Sequence, residues 1–321
     1  MTRQGLTLSL VVLATGLAGC GESGTVIAAS VAPTPIAAAT PPPPSPPPPQ
    51  PPAAGAIARI TPGGVLTGTL ACAGGDLQFT ATADGGRRLG DVKRLGPIKI
   101  DNVVYISYLA TNNFYIDVNG FGGSSFLPSE LKSESAGSTW PMLYFRKLPD
   151  RQYVEELEIH DGNGPGKGLV DSTLGRYSDG QSLCFFAVGS DRGPIAGQGR
   201  NTLGIVADGI IVDGTGARRI AVSTASADVN WSARTIDIYF DMHATVAPFG
   251  QITNSTALGR ATARLSVSPI GVISGALDGP GGSSGRIMGS FFEFGNGAGL
   301  VFELTYPNGD RAFGALALDK A

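Results

Sequence analysis

From residue 57 onward the chain alternates apolar and polar residues with a period of two. In the stretch beginning at Thr235, Ile236, Ile238 and Phe240 fall on one side, and Asp237, Tyr239 and Asp241 on the other. Leu300, Phe302 and Leu304 repeat the pattern. Such alternation suits a strand with one buried face. It predicts strands at 220–224, 226–231, 235–242, 257–267, 271–277, 285–294, 300–306 and 311–318. Between them lie the turn sequences Asp213-Gly214, Asp278-Gly279-Pro280-Gly281-Gly282, Asn296-Gly297 and Asn308-Gly309. Further upstream, 77–82, 103–109 and 114–118 read as strands, with Asn119-Gly120 as a hairpin turn. Residues 129–136 suit one short helix, and 151–158 fit either a strand or a helix. Eight or so short strands joined by tight turns predict a meander closed into a barrel, which removes exposed edges. The long-helix signals that βαβ crossovers need are missing, so the expected class is all-β.

The first 56 residues follow another pattern. Arg3 precedes the apolar stretch 6–17, which is too short to span a membrane and suits a signal-peptide core. It ends in Leu17-Ala18-Gly19-Cys20, which resembles the lipobox of bacterial lipoproteins. That resemblance implies cleavage before Cys20 and acylation of its thiol. More than one acyl chain makes membrane anchoring stable. Twelve of the 23 prolines then fall between Pro33 and Pro52. Each ring fixes φ and removes a backbone donor, so neither helix nor sheet can form there. A semi-rigid polyproline II spacer is expected, rising about 3.1 Å per residue.

Composition narrows the function classes. The formal net charge is −3 and charged residues are 15% of the chain. No Lys/Arg excess is present to neutralise phosphates, so a nucleic-acid partner is not expected. Of the 47 glycines, 41 are spread through the part from residue 57 onward, as turn-rich β structure requires. Besides Cys20, the chain has Cys72 and Cys184. Two buried thiols or one bridge would fit, and the oxidising compartment reached by an exported protein favours a bridge. Neither has a partner at C-x-x-C spacing, so no metal site is expected from them.

Catalytic motifs fail on context. Gly281-Gly282-Ser283-Ser284-Gly285 matches G-x-S-x-G, but it runs into a strand, and no His follows Ser283. The 162–168 segment resembles a phosphate loop but has Asp161 where the first Gly belongs and Gly168 in place of Ser/Thr. Asp161-Gly162-Asn163-Gly164 begins like a calcium loop, but Pro165 and Ser172 stand at ligand positions. The two histidines, His160 and His243, read as surface or rim residues. Binding rather than catalysis is expected, with no resident cofactor.

Near the C-terminus, Gly289-Ser290-Phe291-Phe292-Glu293-Phe294-Gly295, Ala298-Gly299-Leu300-Val301-Phe302 and Arg311-Ala312-Phe313-Gly314-Ala315 resemble the closing strands of transferrin-binding protein B-like surface lipoproteins. Residues 227–235, with Asn230-Trp231, resemble an earlier strand of that family's barrel, and 171–177 and 185–189 the approach to it. The resemblance covers about residues 170–321 and implies an eight-stranded antiparallel up-and-down barrel at 193–321. Residues 57–192 would be a β-rich handle-like domain, after a signal peptide at 1–19 and a lipidated linker at 20–56.

The implied role is to bind a ligand or partner protein at the bacterial outer membrane, on the cell surface or the periplasmic face. Iron or haem acquisition is among the roles, with haem or iron as the transported ligand. An outer-membrane receptor or export barrel would be an accessory partner. The alternative is a structural or adhesive envelope lipoprotein without a small ligand. Loops carry binding in such designs. The aromatic candidates are Phe114, Tyr115, Phe121, Phe126 and Phe249.

Overall fold

A computed structural model describes residues 64–81, 87–110, 113–118, 122–132, 142–147, 154–160, 172–189, 198–214, 216–246, 254–292 and 296–320. Its strands form two antiparallel sheets. The first contains β1 (Val65–Ala81), β2 (Arg87–Ala110), β3 (Asn113–Val118), β4 (Gly122–Phe126), β5 (Leu131–Lys132), β6 (Met142–Lys147), β7 (Val154–His160), β8 (Ser172–Ser178) and β9 (Ser182–Gly189). Its strand order is β4-β3-β2-β1-β9-β8-β7-β6-β5. The second contains β10 (Arg200–Asp213), β11 (Gly216–Asn230), β12 (Thr235–Thr245), β13 (Thr256–Val267), β14 (Val272–Asp278), β15 (Ser284–Phe292), β16 (Gly297–Thr305) and β17 (Arg311–Lys320). These eight close into an up-and-down barrel, as expected, because β10 also pairs with β17 from Leu203↔Lys320 to Val212↔Arg311.

Side chains fill the barrel. Ile236, Ile238, Phe240 and Met242 from β12 meet Leu300, Phe302 and Leu304 from β16 in one apolar cluster. Trp231 packs on Phe291 with ring centroids 4.8 Å apart, and Phe240 on Phe302 at 5.5 Å. At the closure, β10 and β17 cross at Gly209 and Gly314. A Cβ on Gly314 would lie 2.2 Å from the Asp208 carbonyl oxygen, so only glycine lets these backbones meet.

The first sheet curls. Its end strand β4 puts Phe126 edge-on to Tyr144 of β6 at 5.9 Å, and Ser124 reaches Glu155 of β7. Leu66, Val104, Ile106, Phe114, Leu157 and Phe186 belong to the core inside the curl. The expected bridge is present: Cys72 and Cys184 face each other across β1 and β9 and are bonded.

The outer face of the curled sheet packs on the outer wall of the barrel. Ala71, Leu174, Phe185 and Ala187 meet Ile210, Val212, Val301, Phe313, Ala315 and Ala317 there. The Phe185 and Phe313 rings are 5.2 Å apart. A Cβ on Gly299 would come within 2.8 Å of the Ala187 Cβ, so the seam is tight. Strand β9 shows how both faces are used. Leu183, Phe185 and Ala187 enter the seam, while Cys184, Phe186 and Val188 enter the curl. Burial on both faces explains the nearly continuous apolar runs in β9, β16 and β17. Both sheets belong to one compact unit.

Several expectations change. At 129–136 no α-helix appears among the described residues; a single 3₁₀ turn, Pro128–Glu130, leads directly into β5. Pro128 starts the turn, and the Glu130 side chain accepts from the Leu127 N–H at 2.8 Å. The ambiguous 151–158 segment is strand where it is described. The candidates 220–224 and 226–231 are one strand, β11, bulged between Val222 and Ala225 opposite Asp241. The strand at 200–213 had no counterpart in the expected set. Gly204 and Asp208-Gly209 look like turn residues there, but the glycine serves the closure and the aspartate a buried ion pair.

Candidate functional site

Strand β7 reads Val154-Glu155-Glu156-Leu157-Glu158-Ile159-His160. Its alternation places Leu157 and Ile159 in the curl and Glu156, Glu158 and His160 on the opposite face, at one end of the seam. Arg176 of β8 lies directly across from Glu158. Asp208 of β10 and Arg219 of β11 approach from the barrel.

Arg219 joins the two sheets. Its Nε donates to Asp208 Oδ1 at 2.8 Å, and its Nη2 to Asp208 Oδ2 at 2.8 Å, forming a bidentate fork. The same Nη2 donates to Glu158 Oε1 at 2.9 Å. Arg176 holds Glu156 Oε1 through Nη2 and Glu158 Oε2 through Nε, each at 2.5 Å. His160 Nε2 is 3.1 Å from Glu158 Oε1, 3.4 Å from Asp208 Oδ2 and 3.3 Å from Arg219 Nη2. Asp208 is fully buried, and Glu156, Glu158 and His160 nearly so. The expectation that His160 is a rim residue is therefore overturned: it is 2% exposed. His243 keeps its surface setting, with Nε2 2.9 Å from the Ser223 hydroxyl and Nδ1 3.4 Å from that of Ser255.

Burial opposes the charges of Glu158, Asp208, Arg176 and Arg219, and the opposite charges around them outweigh it. Burial alone would raise the Glu158 carboxyl, but Arg176, Arg219 and His160 hold it well below the usual carboxylate range. Asp208 is likewise desolvated, and Arg219 and His160 bring it below its ordinary value. Arg176 and Arg219 are raised above theirs, against desolvation, by Glu156 and Glu158 for the first and by Asp208 and Glu158 for the second.

Glu158, His160 and Asp208 could together offer three atoms to a metal ion, all within 4.8 Å of one another. The Arg219 guanidinium stands among those same atoms, within 3.3 Å of each. It is the resident cation of this donor set, and a metal could enter only if it left. The arrangement clamps β7 and β8 to β10 and β11.

Glu155 shows the other face of β7. Its Oε1 accepts from the Ser124 hydroxyl at 2.8 Å and from the Tyr177 hydroxyl at 3.2 Å. Its Oε2 is buried with no hydrogen-bond partner among the described residues.

The residues singled out from the sequence separate widely. Phe114 and Phe126 are fully buried inside the curl, so neither can anchor a partner as an exposed aromatic. Tyr115 is half-buried on the outer face, and a Cβ on Gly123 would strike its ring. Cys20, Phe121, Phe249 and the glycine-rich 161–171 segment lie outside the described residues. Ser283 is 3% exposed, and its hydroxyl donates to the Pro280 carbonyl at 2.8 Å, locking the turn between β14 and β15. Sequence reasoning missed Glu158, Arg176, Asp208 and Arg219. The signal that could have found them is a charged residue inside an otherwise buried strand, as Asp208 is between Leu203 and Val212.

No protein-family model and no curated protein matches this sequence. Among solved structures, one similar chain is a mutant of transferrin binding protein B from Haemophilus parasuis. It is 8% identical with a TM-score of 0.41, over 81% of this chain and 76% of that one. Isotype 1 transferrin binding protein B from serogroup B Neisseria meningitidis is 10% identical with a TM-score of 0.40, over 70% of this chain. Only 53% of the meningococcal chain is covered.

Proposed function

We propose that this chain is a lipid-anchored protein of the bacterial outer membrane that binds a partner protein on its outer surfaces. The observation that carries this reading is the filled barrel. Among the described residues its interior is packed with a contiguous cluster of Leu, Ile, Val, Phe, Met, Ala and Trp side chains, as the width of an eight-stranded barrel allows. Recognition then falls to strand faces, loops and the curled sheet. The anchor rests on the sequence: Cys20 in its lipobox, followed by a proline spacer, would hold the body away from the bilayer.

Iron or haem acquisition remains the role we assign, through a carrier protein more than through free haem. Axial ligation by His160 would require opening the seam, because that ring is buried among Glu158, Asp208 and Arg219. We assign binding and not catalysis, since Ser283 is spent on its own turn.

Two measurements test this. Palmitate labelling and membrane fractionation should give a labelled, membrane-bound protein, and Cys20→Ser should lose both properties. Cross-linking on intact cells should then capture a partner or iron carrier. A chain that is acylated but captures nothing would favour a structural or adhesive role instead.

A further inference from the structure

We propose that Ser223 is a nucleophilic serine that takes an acyl group from an activated carboxylic ester, with His243 as its base. This goes beyond the binding reading. It is a single covalent transfer to the chain, and it does not depend on how the chain is anchored or what it captures.

The site is built on the outer wall of the barrel, across β11, β12 and β13. Met242 and Ala244 of β12 enter the barrel core, so alternation turns His243 outward, on the face that carries Asp241. Both strands beside this histidine are bulged. On β11 the register slips between Val222 and Ala225. On β13, Leu258 is the extra residue between Ala257, opposite His243, and Gly259, opposite Met242. Gly259 has a φ of 114°, which glycine adopts without a steric cost. β10 also breaks its pairing with β11 along this stretch, between Leu203↔Ala227 and Gly209↔Ile220. Among the described residues, neither ladder carries a register pair at Ser223 or Thr224. A bulge takes backbone out of the ladder and re-aims the side chain it carries.

The re-aimed side chain meets the imidazole. Ser223 is exposed, and its hydroxyl oxygen lies 2.9 Å from His243 Nε2. The other ring nitrogen, Nδ1, lies 3.4 Å from the hydroxyl of Ser255, just before β13. A ring that donates from Nδ1 to Ser255 presents Nε2 to Ser223 as an acceptor, which is the tautomer a base requires. A hydroxyl within hydrogen-bond reach of a base, with a third group holding that base, is the arrangement that activates a nucleophile. Asp241 adds a fixed charge. Its two oxygens accept from Arg260 Nε and Nη2 at 2.8 Å each. Arg260, with a contribution from His243, keeps its carboxyl below the ordinary value. An anion on this face favours the imidazolium that forms when the ring accepts a proton.

The step balances without any redox change. The Ser223 hydroxyl oxygen attacks the ester carbonyl carbon, and Nε2 accepts the hydroxyl proton. The bond from that carbon to the leaving oxygen breaks, and the ring returns the proton to the leaving group. The products are a serine ester and a free alcohol or phenol.

The test uses the full-length chain and p-nitrophenyl acetate. Release of p-nitrophenolate gives the rate, and peptide mass spectrometry locates the acetyl group. Ser223 should be acetylated first, and unfolding in urea should abolish that selectivity. Ser223→Ala should remove the rapid phase, and His243→Gln should slow it by about a hundredfold. Ser255 is a positioning residue: Ser255→Ala should slow the phase several-fold, and Ser255→Thr, which keeps the hydroxyl, should not. All three side chains lie outside the apolar core, so the variants should fold. The mapping on the unaltered chain stands without them. Acetylation of Ser223 no faster than of the lysines, or equally fast in urea, would overturn the proposal. So would the parent rate in His243→Gln, or equal rates in Ser255→Ala and Ser255→Thr.

Discussion

Glu155 and Glu156 are neighbours on β7, and the fold treats them in opposite ways. Glu156 and Glu158 point toward the barrel, where Arg176 and Arg219 neutralise them. Glu155 points into the curl, where two hydroxyls share one of its oxygens and the other has no hydrogen-bond partner among the described residues. The cores differ in the same sense. Among the described residues the barrel interior is packed with apolar side chains, whereas the curl admits a carboxylate, a serine and a tyrosine among its aromatic rings. Matched buried charges fix how two sheets meet, because neither partner tolerates separation.

The largest effect should come from breaking the matched face. Arg219→Ala leaves Asp208 and Glu158 buried without this cation, and should destabilise the protein by about 3–5 kcal/mol in urea unfolding. Zinc should restore part of that loss, because Glu158, His160 and Asp208 then have room for an ion. Failure of the substitution to lower the urea midpoint would mean that the clamp contributes nothing.

Reduction of Cys72–Cys184 comes next. The bridge links strands 112 residues apart in sequence, and its loss should cost about 2–5 kcal/mol. It belongs to the curled sheet alone, so hydrogen exchange should speed up in β1 and β9 before it does in the barrel.

Acid should separate the two faces further. Glu158 and Asp208 have carboxyls held below their ordinary values, so their contribution is complete above the unfolded values of about 4. It is lost as pH falls from there through the lower folded values. Stability measured against pH should therefore decline below about pH 4, and Glu158→Gln should flatten that slope. An unchanged slope in the variant would remove Glu158 from the account.

The smallest effect should have the opposite sign. Glu155→Gln removes a buried charge that only two hydroxyls hold among the described residues, so stability should stay level or rise by up to about 1 kcal/mol. A loss as large as that of Arg219→Ala would erase the distinction between the two faces.

Much of the fold was legible because strand alternation and turn chemistry are local. Ile236, Ile238 and Phe240 point inward, as their spacing requires. Asn308-Gly309 turns the chain between β16 and β17, with Gly309 at φ 91°. Where the helix expected at 129–136 is described, the turn at Pro128–Glu130 gives way at once to pairing of Leu131 with Tyr144. Two of the five aromatic candidates, Phe114 and Phe126, are buried for a related reason. Phe114 and Phe126 look like loop anchors beside glycines and asparagines, but alternation within β3 and β4 points them into the curl. The clamp was illegible because Arg219 and Glu158 are 61 residues apart and belong to different sheets.

The sequence by itself determined an all-β chain and the barrel strands other than β10. Period-two patterning and turn residues are properties of contiguous residues. Only the tertiary structure decided which carboxylates on β7 are neutralised. Charge pairing in a dry interior depends on distances of a few ångströms between distant segments, and alternation says which face a residue takes but not what waits there.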